Sequence, residues 1–145
     1  MKTRHFVSRL FASALTLFVA NVASAASLTL PSELEVQGSE VKLVQQQKVL
    51  SLDSGKQLVE VVYRDLFADN ADDSGAWLTS APLYLTLDVQ RDDAYRLVLP
   101  EIVTQQDAET FIRMPKTLLV SEDGQQQQIT LMNHQQLMEK IWLEN

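Results

Sequence analysis

The stretch Leu83–Val89, LYLTLDV, has the strictest alternation of apolar and polar side chains in the chain. Successive side chains of a β-strand point to opposite faces, so this stretch predicts a strand with one buried apolar face. A turn is expected at 90–93, and a returning strand with Tyr95, Leu97 and Leu99 is expected to follow it. Together these segments predict a β-hairpin.

Several further strands are predicted on the N-terminal side of this hairpin. The short ones lie at 28–30, 33–36, 41–44 and 48–52. A longer strand at 58–67 places Val59, Val61 and Tyr63 on one face, and the turn before it contains Gly55. Short strands separated by turns about every eight to twelve residues are typical of a sandwich. We therefore expect a mostly β fold, a single small β-sandwich-like domain.

Two helices are predicted near the C-terminus. Thr104 and Asp107 have the spacing of a capping box, which predicts a short helix that ends before Pro115. A β-hairpin is expected next, with strands at 116–120 and 125–131 and a turn at 122–124.

The second helix is predicted to begin after Asn133, which has the same capping relation to Gln136. Its apolar residues are expected to form a stripe that docks on the sandwich. They are Leu137, Met138, Ile141 and Trp142.

Residues 1–25 have the pattern of a signal peptide. A basic start is followed by an apolar run at 10–22 and by the small residues 23–25, so we expect cleavage between Ala25 and Ala26. The run is shorter than the roughly 20 residues that a membrane span needs, which disfavours a retained anchor. The expected product is one β-rich domain, residues 26–145, exported and not inserted in the membrane.

The composition limits the partners of this domain. The whole chain has a net charge of −7, with 12 basic and 19 acidic residues. Lys2, Arg4 and Arg9 lie in the leader, so nine basic residues remain and the net charge becomes −10. Such a charge repels nucleic acid and anionic lipid, so neither is an expected partner.

The chain contains no cysteine. Disulfides, thiol nucleophiles and thiolate metal sites are thereby excluded, and packing alone must hold the fold in an oxidising compartment. These features favour the periplasm of a Gram-negative bacterium. Eukaryotic secretion is the less favoured alternative, because small secreted domains of that kind tend to be rich in disulfides.

Residues with catalytic potential are sparse. His134 is the single histidine outside the leader, and no serine lies in a G-x-S-x-G motif. The acidic residues at 88–93 are typical of a turn, and the chain is short for the substrate cleft of a glycosidase. We therefore expect a protein that is not an enzyme and that carries no cofactor.

One loop contains a dense group of carboxylates. Asp69, Asp72 and Asp73 offer the hard oxygen ligands that Ca²⁺ prefers. Their spacing does not match an EF-hand loop, so a solvated loop without a metal is the favoured interpretation.

Two features point to binding. Trp77 follows the acidic loop, where an exposed aromatic side chain is able to anchor a partner. The glutamine runs 45–47 and 125–128 lie in or beside predicted strands, and they favour a polar sheet edge. The sharper hypothesis is that Gln126 and Gln128 mark an edge that pairs with another extended polypeptide.

The order of several short segments resembles a known family. The segments are 36–38, 50–52 with Gly55, 57–59 leading to Tyr63, 80–82, 95–97 with Pro100, 108–111, and Pro115 with Leu118. Over roughly residues 26–131 they resemble the small periplasmic family of uncharacterised bacterial proteins that includes the curli synthesis inhibitor. The resemblance implies a β-rich periplasmic protein of the cell envelope without enzymatic activity. One member is linked to negative control of curli fibres.

From these features we expect a protein-binding or regulatory module whose partner is another periplasmic or secreted protein. The alternative is a domain that binds a small ligand or a cell-envelope glycan, which requires an aromatic platform such as Trp77 near polar groups.

Overall fold

The structure is a computed structural model that describes residues 25–68, 75–90 and 92–145. The strands in these ranges are β1 (Ala26–Leu30), β2 (Leu34–Val36), β3 (Val41–Val44), β4 (Gln47–Leu52), β5 (Gly55–Phe67), β6 (Ala76–Thr79), β7 (Leu83–Val89), β8 (Ala94–Val98), β9 (Lys116–Ser121) and β10 (Gln126–Thr130). The helices are α1 (Gln105–Arg113) and α2 (His134–Glu144).

Six strands form the first sheet, in the order β10-β9-β8-β1-β4-β3. β1 lies inside this sheet, antiparallel to β4 and parallel to β8. Its alternating sequence buries Ala26, Leu28 and Leu30 on the core side. β10 and β3 lie at the two ends of the sheet, and no strand among the described residues pairs along their outer sides, so each has one free edge.

The long strand β5 organises the second sheet. β2 pairs with it on one side, while β6 and β7 pair with successive parts of its other side. The register shifts by one residue between β6 and β7, and Ser80 lies at this bulge. The Tyr63 N–H donates to Ser80 Oγ at 2.9 Å, and the Ser80 N–H donates to the Tyr63 carbonyl at 2.9 Å. The serine side chain thus continues the ladder where the register changes.

One hydrophobic core lies between the two sheets. Both sheets contribute alternate residues to it, and α1 adds Ala108 and Phe111. The largest fully buried side chains are Tyr63, Leu28, Leu34, Leu131 and Val61. The predicted fold class is therefore confirmed: the chain is mostly β, with two sheets, a short helix before the last hairpin and a C-terminal helix.

The prediction of a β-hairpin with its turn at 90–93 is wrong. β7 pairs with β5 in the second sheet, whereas β8 pairs with β1 and β9 in the first. The chain therefore passes from one sheet to the other, and the Asp93 carbonyl accepts a hydrogen bond from the Ser27 N–H. Alternation identifies a strand but not its partner, which long-range packing selects.

β6 is a strand that the sequence pattern does not predict. It has four residues, Ala76–Thr79, and none of them is fully buried. Its pairing with the C-terminal part of β5 defines it, and no periodicity in so short a segment indicates that pairing.

Both helix starts match their predictions. The capping box of α1 joins Thr104 and Asp107, and that of α2 joins Asn133 and Gln136, with both reciprocal hydrogen bonds present in each. The docking of α2, however, is only partly as expected. Leu137 is buried, but Met138 and Ile141 are about two-fifths exposed and Trp142 is 76% exposed.

Polar contacts explain this orientation of α2. Lys140 Nζ donates to Thr86 Oγ1 at 2.8 Å, and Glu144 lies 4.0 Å from Lys56 Nζ. Residues three, four and seven apart share a helix face, so Leu137, Lys140 and Glu144 face the second sheet. This rotation leaves Met138 and Trp142 on the flank of the helix.

Candidate functional site

The free edge of β10 presents the backbone of its even-numbered residues. At one end of the β9–β10 hairpin the Ser121 N–H donates to the Gln125 carbonyl, and at the other the Leu131 N–H donates to the Pro115 carbonyl. Antiparallel pairing alternates, so the odd-numbered residues of β10 bond to β9. The N–H and C=O groups of Gln126 and Gln128 therefore point away from β9, as those of Thr130 do.

β7 has a matching free edge. The Tyr84 N–H donates to the Met132 carbonyl at 2.8 Å, and the Met132 N–H donates to the Tyr84 carbonyl at 2.9 Å. Tyr84 thus directs its backbone away from β5. By the same alternation Thr86 and Asp88 also present their N–H and C=O groups on this side.

The two edges face one another across an open seam. Their antiparallel bridge at Tyr84 and Met132 closes one end, and the pairing stops there. Beyond the bridge lies a cleft of about 800 Å³. The residues that line it are Thr86, Leu87, Asp88, Asp93, Tyr95, Leu119, Ser121, Glu122, Asp123, Gln125, Gln126, Gln127 and Ile129.

The floor and the rim of the seam cleft differ in chemistry. Leu87 and Leu119 belong to the hydrophobic core, and Ile129 packs against it, so the floor is apolar. The rim is acidic, and no lysine or arginine is among the described residues that line the cleft. Its carboxylates are those of Asp88, Asp93, Glu122 and Asp123.

Local hydrogen bonds keep part of this rim ionised. The Ser121 hydroxyl and the Gln125 N–H both donate to Asp123 Oδ1, and these bonds hold the pKa of Asp123 below its usual range. At the other side of the rim the Tyr95 hydroxyl donates to Asp93 Oδ2 at 2.9 Å. The cleft thus offers negative charge at its mouth and apolar side chains below.

Tyr95 makes the stability of this region sensitive to alkaline pH. Burial raises the pKa of Tyr95, the Gln90 N–H lowers it, and the carboxylates of Asp93 and Asp88 raise it further. The unfolded chain therefore loses its phenolic proton first, near pH 10, and the stabilisation present below that pH is lost as the pH rises through the folded pKa.

We expect denaturant unfolding of the wild type to show falling stability above about pH 10, and Tyr95→Phe to show a smaller fall. Tyr63→Phe is a second variant with the same expected sign, because burial, followed by Asp65, raises the pKa of Tyr63 as well. An unchanged alkaline slope in both variants contradicts this assignment.

A family model matches residues 27–141, and it is described as an uncharacterized protein conserved in bacteria (DUF2057). The match covers both sheets, α1 and most of α2. The chain belongs to this family. No curated protein and no solved structure matches the chain.

In this DUF2057 protein, Trp77 has 59% of its surface accessible, although tryptophan is more often mostly buried. The guanidinium carbon of Arg64 lies 4.3 Å from the centre of its ring, and Arg64 Nη1 lies 3.7 Å from Glu35 Oε1. A cation–π contact therefore occupies one face of the ring. Trp77 lines none of the three cavities described.

Trp77 and the glutamines are not brought together. Trp77 pairs with Leu66 in the second sheet, whereas Gln126 and Gln128 lie at the end of the first. Gln126 lines the seam cleft and Gln128 lines a second, apolar cleft of about 580 Å³ beside α1. The predicted binding residues therefore belong to separate surfaces.

Other candidates from the sequence lie apart from the seam cleft or outside the described residues. The His134 ring lies 6.2 Å from that of Tyr84, at the start of α2. The group Asp69, Asp72 and Asp73 lies outside the described residues, as does the leader up to 24. Ala25 is exposed and Ala26 begins β1 with a buried side chain.

Sequence reasoning missed the β7 side of this DUF2057 cleft. Asp88 and Asp93 were assigned to an ordinary turn, and 122–124 to another. The sequence did contain one signal for the cleft. Its two acidic turns, at 88–93 and 122–124, each lie beside a predicted strand.

Proposed function

We propose that this DUF2057 protein is an exported, non-enzymatic protein-binding module of the cell envelope that acts in the periplasm of a Gram-negative bacterium. Its site is the free edge of β10. The observation that carries this proposal is the outward direction of the Gln126 and Gln128 backbone groups at the end of a six-stranded sheet. Unpaired N–H and C=O groups bind an added strand without any catalytic residue.

The position of the first strand supports the proposed cleavage site. The proposed cleavage between Ala25 and Ala26 leaves β1 intact, because β1 begins at Ala26. In the described part of the chain, neither helix has the length and apolarity to cross a membrane. The net charge of −10 expected after cleavage supports a protein partner over nucleic acid or anionic lipid.

The resemblance to the family of the curli synthesis inhibitor extends this proposal. It implies a role in the control of an extracellular fibre. A fibre-forming subunit is an extended chain of the kind that a free sheet edge binds, since fibres of this type grow by strand pairing.

The second candidate is binding of a small ligand or a cell-envelope glycan at Trp77, which the exposure of this side chain favours. Such sites combine an aromatic face with a concavity and convergent polar groups. The contact with Arg64 and the position of Trp77 outside the three clefts support the protein-binding proposal instead.

The double variant Gln126→Lys/Gln128→Lys tests the β10 edge, because charged side chains on an edge strand oppose pairing with another chain. A photo-crosslinking residue is placed at Thr130 in both the wild type and the double variant, and covalent adducts are recovered from the periplasm. We expect protein adducts in the wild type and a loss of about 90% of them in the variant, a tenfold change.

Leu43 provides the matched control position. It is exposed on β3, the opposite end of the same sheet, so a crosslinker there is expected to give none of the Thr130 adducts. An equal yield from the double variant, or the same adducts at Leu43, rejects the β10 edge as the binding site.

A further inference from the structure

We infer that the seam cleft between β7 and β10 receives an extended segment of another protein as an inserted strand, and that this segment carries lysine or arginine at the acidic rim. The inference rests on the proposed function, which requires only the β10 edge. It adds the second edge, the depth of the site and the chemistry of the partner.

Two edges face this one cleft. The bridge between Tyr84 and Met132 shows that the outward side of β7 and the outward side of β10 face each other. Past the bridge, Thr86 and Asp88 on one side and Gln126 on the other line the cleft and present outward backbone groups, and no described strand lies between them. An inserted strand therefore forms hydrogen bonds on both of its sides, as a central strand does.

The directions of the two edges constrain the inserted strand. The bridge is antiparallel, so β7 and β10 run in opposite directions. A strand between them must be parallel to one and antiparallel to the other. The first sheet already contains one such arrangement, since β1 is parallel to β8 and antiparallel to β4.

The lining of the cleft indicates the side chains of the occupant. A strand directs alternate side chains to opposite faces, so one set meets the apolar floor formed by Leu87, Leu119 and Ile129. The acidic rim attracts cationic groups, and its four carboxylates lack any described basic residue among the lining. A segment that alternates apolar residues with lysine or arginine fits both requirements.

Charge also separates this occupant from a second copy of the chain and from closure of the seam. The chain carries a net charge of −7, so association of two copies at an acidic cleft is electrostatically opposed. Continuing the bridge would pair Asp88 with Gln128 beside the other rim carboxylates. The pairing stops before this point. A cationic strand in the cleft places positive charge beside the rim carboxylates and so reduces the repulsion among them.

Proline variants test the two edges separately. Gln126→Pro removes an outward N–H of β10, and Asp88→Pro removes one of β7, while the bonds of each strand to its existing neighbour are kept. Leu43→Pro is the control, because its N–H also points away from its neighbour at the β3 edge. The loop at Gln45 and Gln46 has positive φ at both residues, so Val44 and Gln47 form the closing hydrogen-bonded pair and Leu43 faces outward.

The probe is a synthetic peptide of about eight residues that alternates valine and lysine. Its affinity for the wild type and the three variants is measured by isothermal titration calorimetry. We expect about tenfold weaker binding for Gln126→Pro and for Asp88→Pro, and unchanged binding for Leu43→Pro. Asp88→Asn separates the charge from the backbone and is expected to weaken binding less than Asp88→Pro.

Two altered peptides make the test independent of variant folding. One has the same side chains but is N-methylated at alternate residues, so it lacks half of the N–H donors. The other has glutamate in place of lysine. We expect both to bind the wild type at least about tenfold more weakly than the parent peptide.

Each outcome has a defined meaning. Weakening by Gln126→Pro alone overturns the inserted strand but leaves simple addition at the β10 edge, and thus the proposed function, intact. Equal binding of the N-methylated or glutamate peptide overturns the ladder or the cationic partner, respectively. Failure of the lysine peptide to bind the wild type overturns the inference, whereas the crosslinking at Thr130 decides the proposed function independently.

Discussion

Tyr63→Ala is expected to lower the free energy of unfolding by about 3–5 kcal/mol, the range for removal of a large buried aromatic side chain. Tyr63 has no accessible surface, and its ring lies 5.3 Å from that of Phe111 in a tilted arrangement. It thereby joins the long strand β5 to α1. Its hydroxyl also donates to Asp65 Oδ2 at 3.2 Å, and alanine loses this bond as well.

Chemical denaturation of the purified domain, followed by circular dichroism, measures this loss. Leu66→Ala is the matched control, because Leu66 lies on the same strand with 45% of its surface exposed and should change stability far less. Tyr63→Phe keeps the ring and should retain most of the stability. Equal losses for Leu66→Ala and Tyr63→Ala would show that Tyr63 is not part of the core.

In strand β5, the alternation of apolar and polar residues predicts which face is buried. Alternation placed Val59, Val61 and Tyr63 on the buried face, and all three are buried. On the opposite face, Leu58 and Leu66 are about half exposed. Burial of one face is a local property of a strand, so a two-residue period reports it directly.

The pairing of the strands is harder to predict from the sequence than the burial of their faces. The pattern of β7 and β8 is compatible with a hairpin, but the two strands lie in different sheets because β8 instead fills the place between β1 and β9. That choice depends on the parallel pairing of β8 with β1, which lies more than sixty positions earlier in the chain. No local signal encodes such a contact.

The candidate site also has one half that the sequence indicates and one half that it does not. The glutamine runs make Gln126 and Gln128 conspicuous in the sequence, and both lie on β10, at the end of the six-stranded sheet. The β7 half of the seam depends on one bridge between Tyr84 and Met132, and thus on the path of the chain after β10. The cleft is a tertiary feature, and only its acidic turns were visible in the sequence.

Leu131→Ala is expected to lower the free energy of unfolding by about 2–5 kcal/mol and to loosen the closed end of the seam. Leu131 is fully buried, and its N–H donates to the Pro115 carbonyl at 2.9 Å. It directly precedes Met132, whose backbone bonds with Tyr84 are the only described bridge between β7 and the chain after β10. A cavity beneath Leu131 removes the packing that holds Met132 in place.

Two measurements separate the global effect of Leu131→Ala from the local one. Denaturant unfolding gives the change in stability, and native-state hydrogen exchange reports the opening of the Tyr84 and Met132 amides. We expect these two amides to exchange faster than the global loss alone predicts. Leu143→Ala makes the same chemical change at a position that is 87% exposed, so its effect should stay within about 0.5 kcal/mol. If the Tyr84 and Met132 amides follow the global unfolding in both variants, Leu131 supports the core but does not hold the seam closed.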